Sequence, residues 1–188
     1  MRRYGAVTVL LGLLTAAPAA GQGRAQREIR PGLQITALEE RYPVAEERLA
    51  DVIDALNHMR LEGERGPLSQ GLTVYEVVPR WRYQPASGSC SVITAEVRVE
   101  ITVKLPMWPG FAKASGDDRF RWRAILEGIR EHEYEHRDVT ILSAEELLDD
   151  LFGLRARTCG ALNRAAEGAT ALADEALRSR HAEIDGSG

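Results

Sequence analysis

The sequence lacks an excess of positive charge, a second long apolar run and a glycine-rich phosphate loop. It has 24 lysine and arginine residues against 28 acidic residues, and its formal net charge is −4. This balance excludes a generally basic nucleic-acid binder, because such proteins neutralise phosphates with surplus cations. After residue 21, no apolar run reaches the roughly 20 residues that a membrane-spanning helix needs. We therefore expect no membrane span in the mature chain.

The composition is that of a globular domain. Hydrophobic residues make up 44% of the 188 residues and charged residues 28%, an ordinary balance for a folded protein and too apolar for a disordered one. This length suits one domain of ordinary size.

The first 21 residues have the pattern of a secretory signal peptide. Arg2 and Arg3 precede a short apolar core from Ala6 to Leu14, and small residues follow up to Gly21. Such a run is typical of a cleaved signal, although a buried N-terminal helix is the alternative. We expect a periplasmic or secreted protein, with a flexible segment at residues 22–36 and one domain at residues 37–185.

The chain contains only two cysteines, Cys90 and Cys159. In an exported protein, two cysteines tend to close into a disulfide because the compartment is oxidising. Two free buried thiols are the alternative. We expect the bridge, which would close a loop of about 70 residues and stabilise the fold by about 4 kcal/mol.

The apolar pattern predicts an α+β fold. Leu72 to Tyr83 is expected to form a strand with a kink or an edge at its proline. Val97 to Leu105 alternates strictly between apolar and polar residues, which is typical of an antiparallel sheet covered on one face. Arg119 to Phe152 and Leu154 to Arg180 read as two helices separated by Gly153. We expect them to form an antiparallel hairpin that packs on the small antiparallel sheet.

The strongest chemical signal is His132-Glu133-Tyr134-Glu135-His136, an HExxH pattern within the first long helix. Residues four apart lie one above the other on a helix, so His132 and His136 can bind one metal ion. Glu133 can act as a general base toward a water molecule that the metal has activated. We expect His132 and His136 as zinc ligands and Glu133 as the catalytic residue. The alternative is a charged helix in which Glu133 pairs with Arg137 and the histidines form local hydrogen bonds.

The wider order of residues resembles that of a secreted bacterial family of unknown function that is regarded as zinc-dependent proteases of the zincin type. The residues that carry this resemblance are Tyr42-Pro43-Val44, Gly66-Pro67, Trp81-Arg82-Tyr83, Cys90, Leu105-Pro106, Trp122, the HExxH motif and Cys159. The resemblance implies a zincin-like metallohydrolase domain. It also implies the same metal ligands and base, and a pairing of Cys90 with Cys159.

The third metal ligand stays open at this point. Family members tend to end with an acidic residue and a histidine before a glycine, whereas the corresponding segment of this chain reads His181-Ala182-Glu183-Ile184-Asp185-Gly186. A hairpin that turns at Gly153 places residues 170–174 opposite the motif. His181 is the first candidate, and Asp174, Asp185 and Glu146 are alternatives. Glu146 requires a helix break near Val139 to Ile141, with Ser143 capping a new helix.

These observations favour a secreted zinc-dependent metallohydrolase, most simply a peptidase that acts on a protein or peptide substrate. The alternative is a zincin-like periplasmic protein that binds a metal or a partner without turnover. A plain helical hairpin without a metal is the third interpretation. In the peptidase interpretation, the strand Val97 to Leu105 lies near the motif helix, and by analogy with zincins an edge strand binds the substrate.

Overall fold

The structure is a computed structural model that describes residues 25–58 and 70–186. The expected signal peptide, residues 1–21, lies outside them. Within the described residues the elements are β1 (Ala25–Arg30), β2 (Leu33–Pro43), α1 (Leu49–His58), β3 (Leu72–Ala86), β4 (Ser89–Met107), a 3-10 helix (Pro109–Lys113), α2 (Gly116–Gly153), β5 (Arg155–Ala156) and α3 (Cys159–Gly186). The predicted α+β class is confirmed. None of these helices has the length and apolar character that crossing a membrane would require.

The sheet has the strand order β1-β2-β4-β3, and β5 pairs with the beginning of β4. Three of its pairings are antiparallel, as expected, but β2 runs parallel to β4. Strand β3 begins at the end of the sheet where β2 stops, and it runs in the direction opposite to β2. Strand β4 follows β3 through a hairpin and lies between β2 and β3. It therefore runs parallel to β2. A strand's own sequence pattern carries little information about such a topology.

Strand β4 lies in the interior of the sheet, and β3 is the edge strand next to it. The alternating residues of β4 from Val97 to Leu105 are at most 3% exposed, and they carry the apolar face on which α2 packs. Strand β3 pairs with β4 from Leu72 to Ala86, and it includes Pro79. An edge position tolerates this proline, because its missing N–H costs no ladder bond on the open side. The edge strand beside α2 is therefore β3, rather than the Val97 to Leu105 strand.

The beginning of the described chain corrects one expectation. We predicted an irregular segment at residues 22–36, but residues 25–30 and 33–36 lie in β1 and β2. Leu33 and Ile35 are buried at 0% and 5% exposure, so they contribute to the core. Gly32 allows the tight turn between the strands, because its φ of +88° is one that residues with a side chain rarely adopt.

Helix α2 is continuous over 38 residues. Ser115 caps its start, where its side chain accepts a hydrogen bond from the Asp118 N–H at 3.0 Å. The alternative of a break near residues 139–141 is therefore wrong. Ser143 does not cap a new helix: it is buried, and its hydroxyl accepts a hydrogen bond from Arg180 at 2.8 Å.

The α2–α3 hairpin has a different register from the one that we expected. The motif histidines lie opposite residues 181–185 rather than 170–174. The reason is that the chain does not reverse at Gly153: it continues through β5, and α3 begins only at Cys159. This longer connection moves the whole of α3 by about three turns relative to α2.

The predicted disulfide between Cys90 and Cys159 is present, with a sequence separation of 69. It joins the beginning of β4 to the first residue of α3, next to the short β4–β5 pairing. The bond therefore anchors α3 at the sheet and helps to set the register of the hairpin. A disulfide is compatible with an extracytoplasmic location.

Replacing both cysteines by alanine is expected to lower the free energy of unfolding by about 2–4 kcal/mol, because the unfolded chain regains the freedom of a long loop. For a domain of this size the melting temperature should fall by about 5–15 °C. Thermal unfolding of the double variant Cys90→Ala/Cys159→Ala, with oxidised wild type beside it, measures this loss. Equal melting temperatures would contradict a stabilising role.

Candidate metal centre

The two motif histidines lie one turn apart near the middle of α2. Their Nε2 atoms are 3.3 Å apart. The His136 side chain is 9% exposed, whereas that of His132 is 36% exposed. The pair therefore sits at the edge of the buried face of α2, where one ring is held inside the protein and the other reaches the surface.

Asp185, in the last turn of α3, completes a triangle of donor atoms. Its Oδ1 is 3.0 Å from the His136 Nε2 and 3.6 Å from the His132 Nε2. Two ligands that each lie 2.0–2.1 Å from a tetrahedral zinc ion are about 3.3 Å apart. The three sides of the triangle, 3.0, 3.3 and 3.6 Å, are therefore of the size that one zinc ion requires. Two imidazoles and a carboxylate are also donors that zinc accepts.

His181, our first candidate for the third ligand, lies behind His136 and not in this triangle. Its Nδ1 is 2.7 Å from the His136 Nδ1, on the side of that ring away from Asp185. Its Nε2 is 3.2 Å from the Thr140 hydroxyl. The Tyr75 ring stacks on His181 with the centroids 4.5 Å apart. His181 thus contacts a candidate ligand and is fixed from two further sides.

The other two alternatives pair with arginines. Asp174 forms an ion pair with Arg178 at 2.8 Å, and Glu146 forms one with Arg180, also at 2.8 Å. These pairs lie elsewhere on the hairpin, because the register places residues 181–185, and not Asp174, at the level of the motif. Of the four proposed third ligands, only Asp185 joins both histidines in a group that could hold one ion among the described residues.

Burial keeps the two inner imidazoles neutral near pH 7. Desolvation lowers the pKa of His136, although the nearby Asp185 carboxylate opposes this effect. The pKa of His181 falls to about 4, first because of burial and then because of the adjacent His136. Neutral imidazole is the form that binds metals. Within this pocket, protons therefore compete weakly with a cation for His136.

Glu133 is buried between the motif turn and the beginning of β3, at 2% exposure. Thr73 donates a hydrogen bond of 2.8 Å to its Oε2, and the same hydroxyl lies 3.0 Å from its backbone carbonyl oxygen. Gly71 approaches so closely that an added Cβ would be 2.6 Å from the Glu133 Oε1. The edge strand therefore fixes the orientation of this carboxylate. Arg137, the partner in our alternative interpretation, pairs with Asp138 at 2.7 Å.

An apolar cavity of about 410 Å³ lies between β3 and the α2–α3 groove. It extends from Tyr75, which also contacts His181, along the hairpin away from the motif. Its apolar lining includes Tyr75, Val77, Trp81, Leu147, Ala173 and Leu177. The cavity thus adjoins His181 through Tyr75, and it has a strand edge on one side and a helix on the other.

Sequence reasoning missed two residues of this site, Thr73 and Thr140. Thr140 follows His136 by one turn on the same face of α2, so its helical position could have identified it. Thr73 contacts Glu133 across 60 residues of sequence, and no local pattern signals that contact.

Comparison with known proteins gives one match. No curated protein and no solved structure matches the chain. A family model described as "Bacterial protein of unknown function (DUF922)" matches residues 39–187, which include the motif, both cysteines and Asp185. The match covers well over half of the chain, and the chain therefore belongs to the DUF922 family.

Proposed function

We propose that this protein is a zinc-dependent metallohydrolase that acts as a peptidase. The observation that carries the proposal is the triangle of His132, His136 and Asp185 donor atoms, whose sides are 3.0–3.6 Å long, next in sequence to a buried Glu133. Three protein ligands leave a fourth position open, which is typical of catalytic rather than structural zinc sites.

Bound zinc would supply a Lewis acid and lower the pKa of a coordinated water toward 7. The protein's own contribution is to hold donors and move protons. Glu133 takes a proton from the attacking water and returns it to the leaving amine, as a general base and then a general acid. Thr73 holds the Oε2 of this carboxylate, so that its orientation is set before a substrate binds.

An extended peptide is the substrate that this groove fits best. Among the described residues, no further strand pairs with the outer edge of β3, so this edge could pair with an added strand. The first residues of β3 pack on Glu133, and Tyr75 links this strand to the apolar cavity. A substrate strand on this edge would pass the metal centre and could place an apolar side chain in the cavity.

The protein is proposed to work in the periplasm or outside the cell. The Cys90–Cys159 disulfide is compatible with such a compartment. The signal pattern at residues 1–21 supports export. N-terminal sequencing of the protein from a bacterial expression host, with cleavage expected after Gly21, tests this part of the proposal.

One observation favours a non-catalytic metal-binding protein instead. Glu133 is only 2% exposed, and a general base must reach the water that it activates. This alternative keeps the metal site and removes the turnover. It predicts stoichiometric zinc without cleavage of any peptide.

The test is to measure metal content and hydrolysis on the same preparation. The mature protein should bind one zinc ion per chain and cleave casein or a peptide library. A chelator should abolish the cleavage, and added zinc should restore it. Zinc at 100 times its Kd should stabilise the fold by about 2.7 kcal/mol. No zinc binding would overturn the whole proposal, whereas zinc binding without cleavage would support the non-catalytic alternative.

A further inference from the structure

The hydroxyl of Thr140 has two possible partners in a fully buried position. It lies 2.8 Å from the His136 carbonyl oxygen and 3.2 Å from the His181 Nε2. A hydroxyl has a single proton to donate. A threonine inside a helix commonly donates that proton to the carbonyl four residues earlier, which here is that of His136. The Thr140 oxygen then accepts a hydrogen bond from the N–H at the His181 Nε2.

This hydrogen bond favours one set of proton positions in the contact between His181 and His136. A neutral His181 that carries its proton on Nε2 presents a lone pair at Nδ1. The His136 Nδ1 lies 2.7 Å away, so in this arrangement His136 donates its own N–H across the contact. A neutral imidazole has only one N–H, and the His136 Nε2 therefore keeps its lone pair. That atom is the one directed at His132 and Asp185.

We propose that Thr140 and His181 are positioning residues that hold His136 in the tautomer that binds a divalent cation, an inference that rests on the proposed metal site. Tyr75 contributes by stacking on His181 with the ring planes only 10° apart. Metal-binding histidines commonly donate their second N–H to such a partner, which orients the ring and increases its basicity. In this protein the acceptor is another imidazole, and a threonine sets the tautomer of that imidazole.

The contact between Asp185 and His136 determines whether the histidine tautomers are better measured with or without bound zinc. Without a cation, its carboxylate at 3.0 Å favours a proton on the His136 Nε2, which is the opposite tautomer. In the zinc-loaded protein this competition would end, because the His136 Nε2 would have to be unprotonated to bind the ion. Histidine tautomers should therefore be assigned in the zinc-loaded state.

The first measurement is an NMR correlation of ring nitrogens with ring protons in zinc-loaded wild-type protein labelled with ¹⁵N-histidine. His181 should carry its proton on Nε2, and His136 should carry its proton on Nδ1. The chain has only four histidines, so the assignment by single substitutions is practical. A proton on the His181 Nδ1 would overturn the inference, and this readout is independent of catalytic activity.

The second measurement is zinc affinity in a matched set of variants. Thr140→Val keeps the shape but removes the hydroxyl, and it should lower the zinc affinity by about 10-fold. Thr140→Ser keeps the hydroxyl and should restore an affinity close to that of wild type. Thr170→Val is the control, because Thr170 also donates to the carbonyl four residues earlier, at 3.0 Å, but on α3.

The outcomes separate this inference from the proposed function. Equal zinc affinities for Thr140→Val and Thr170→Val would overturn the positioning role while leaving the metal site in place. A wild-type protein that binds no zinc would instead refute the proposed function. Melting temperatures of the zinc-free variants identify any loss that comes only from a destabilised fold.

Discussion

Replacement of Asp185 by alanine is expected to lower the zinc affinity by about 100- to 1,000-fold. Structural zinc sites with four ligands have apparent binding free energies of about 10–16 kcal/mol, so one ligand accounts for about 2.5–4 kcal/mol. The Asp185 side chain is half exposed, so its removal should leave the fold intact. Competition with a chelating indicator at fixed pH measures the affinity, and circular dichroism checks the helices.

Asp174→Ala is the matched control for this prediction. It removes the same side chain from the same helix, from a similarly exposed position where Asp174 pairs only with Arg178 among the ion pairs of the described residues. Its zinc affinity should equal that of wild type. If the two variants bind zinc equally well, Asp185 is not a ligand, and the geometric argument from the donor triangle fails.

The choice among the candidates for the third ligand shows where sequence reasoning reached its limit. The spacing of His132 and His136 indicated a shared ion, because positions four apart on a helix face the same way. The choice between His181, Asp185 and Asp174 depended on how far α3 slides along α2. That register is set by β5 and by the disulfide at Cys159, which no helical periodicity encodes.

The sheet also has features that the sequence pattern predicts and features that it does not. The alternation from Val97 to Leu105 correctly predicted a strand with one buried face. It could not predict that β4 would be central, because strand order depends on which chain segments meet. At residues 25–36 the alternation is short, and its large apolar positions, Ile29, Leu33 and Ile35, were too few to distinguish a strand from an irregular segment. Pairing with β4 provides the burial that makes Leu33 and Ile35 part of a strand.

The environment of Glu133 was equally beyond a local pattern. The motif predicts a general base, but the contacts that orient it come from Gly71 and Thr73, about 60 residues earlier. These contacts bear on function in two opposing ways. They hold the carboxylate in one orientation, which favours catalysis, and they exclude solvent from it, which limits access for a water molecule.

The Glu133→Gln variant should show whether the buried carboxylate acts as a general base. Glutamine keeps the size of the side chain and an oxygen that can accept the Thr73 hydrogen bond, but its amide cannot take up a proton. We therefore expect kcat to fall by about 10²- to 10⁴-fold, the usual contribution of a general base, while the zinc content stays at one ion per chain. Glu131→Gln, at an exposed position on the same helix, is the control and should retain full activity. Measured peptide cleavage by a zinc-loaded Glu133→Gln protein at the wild-type rate would show that another group moves the proton, and buried Glu133 would then serve only to join α2 to the edge strand.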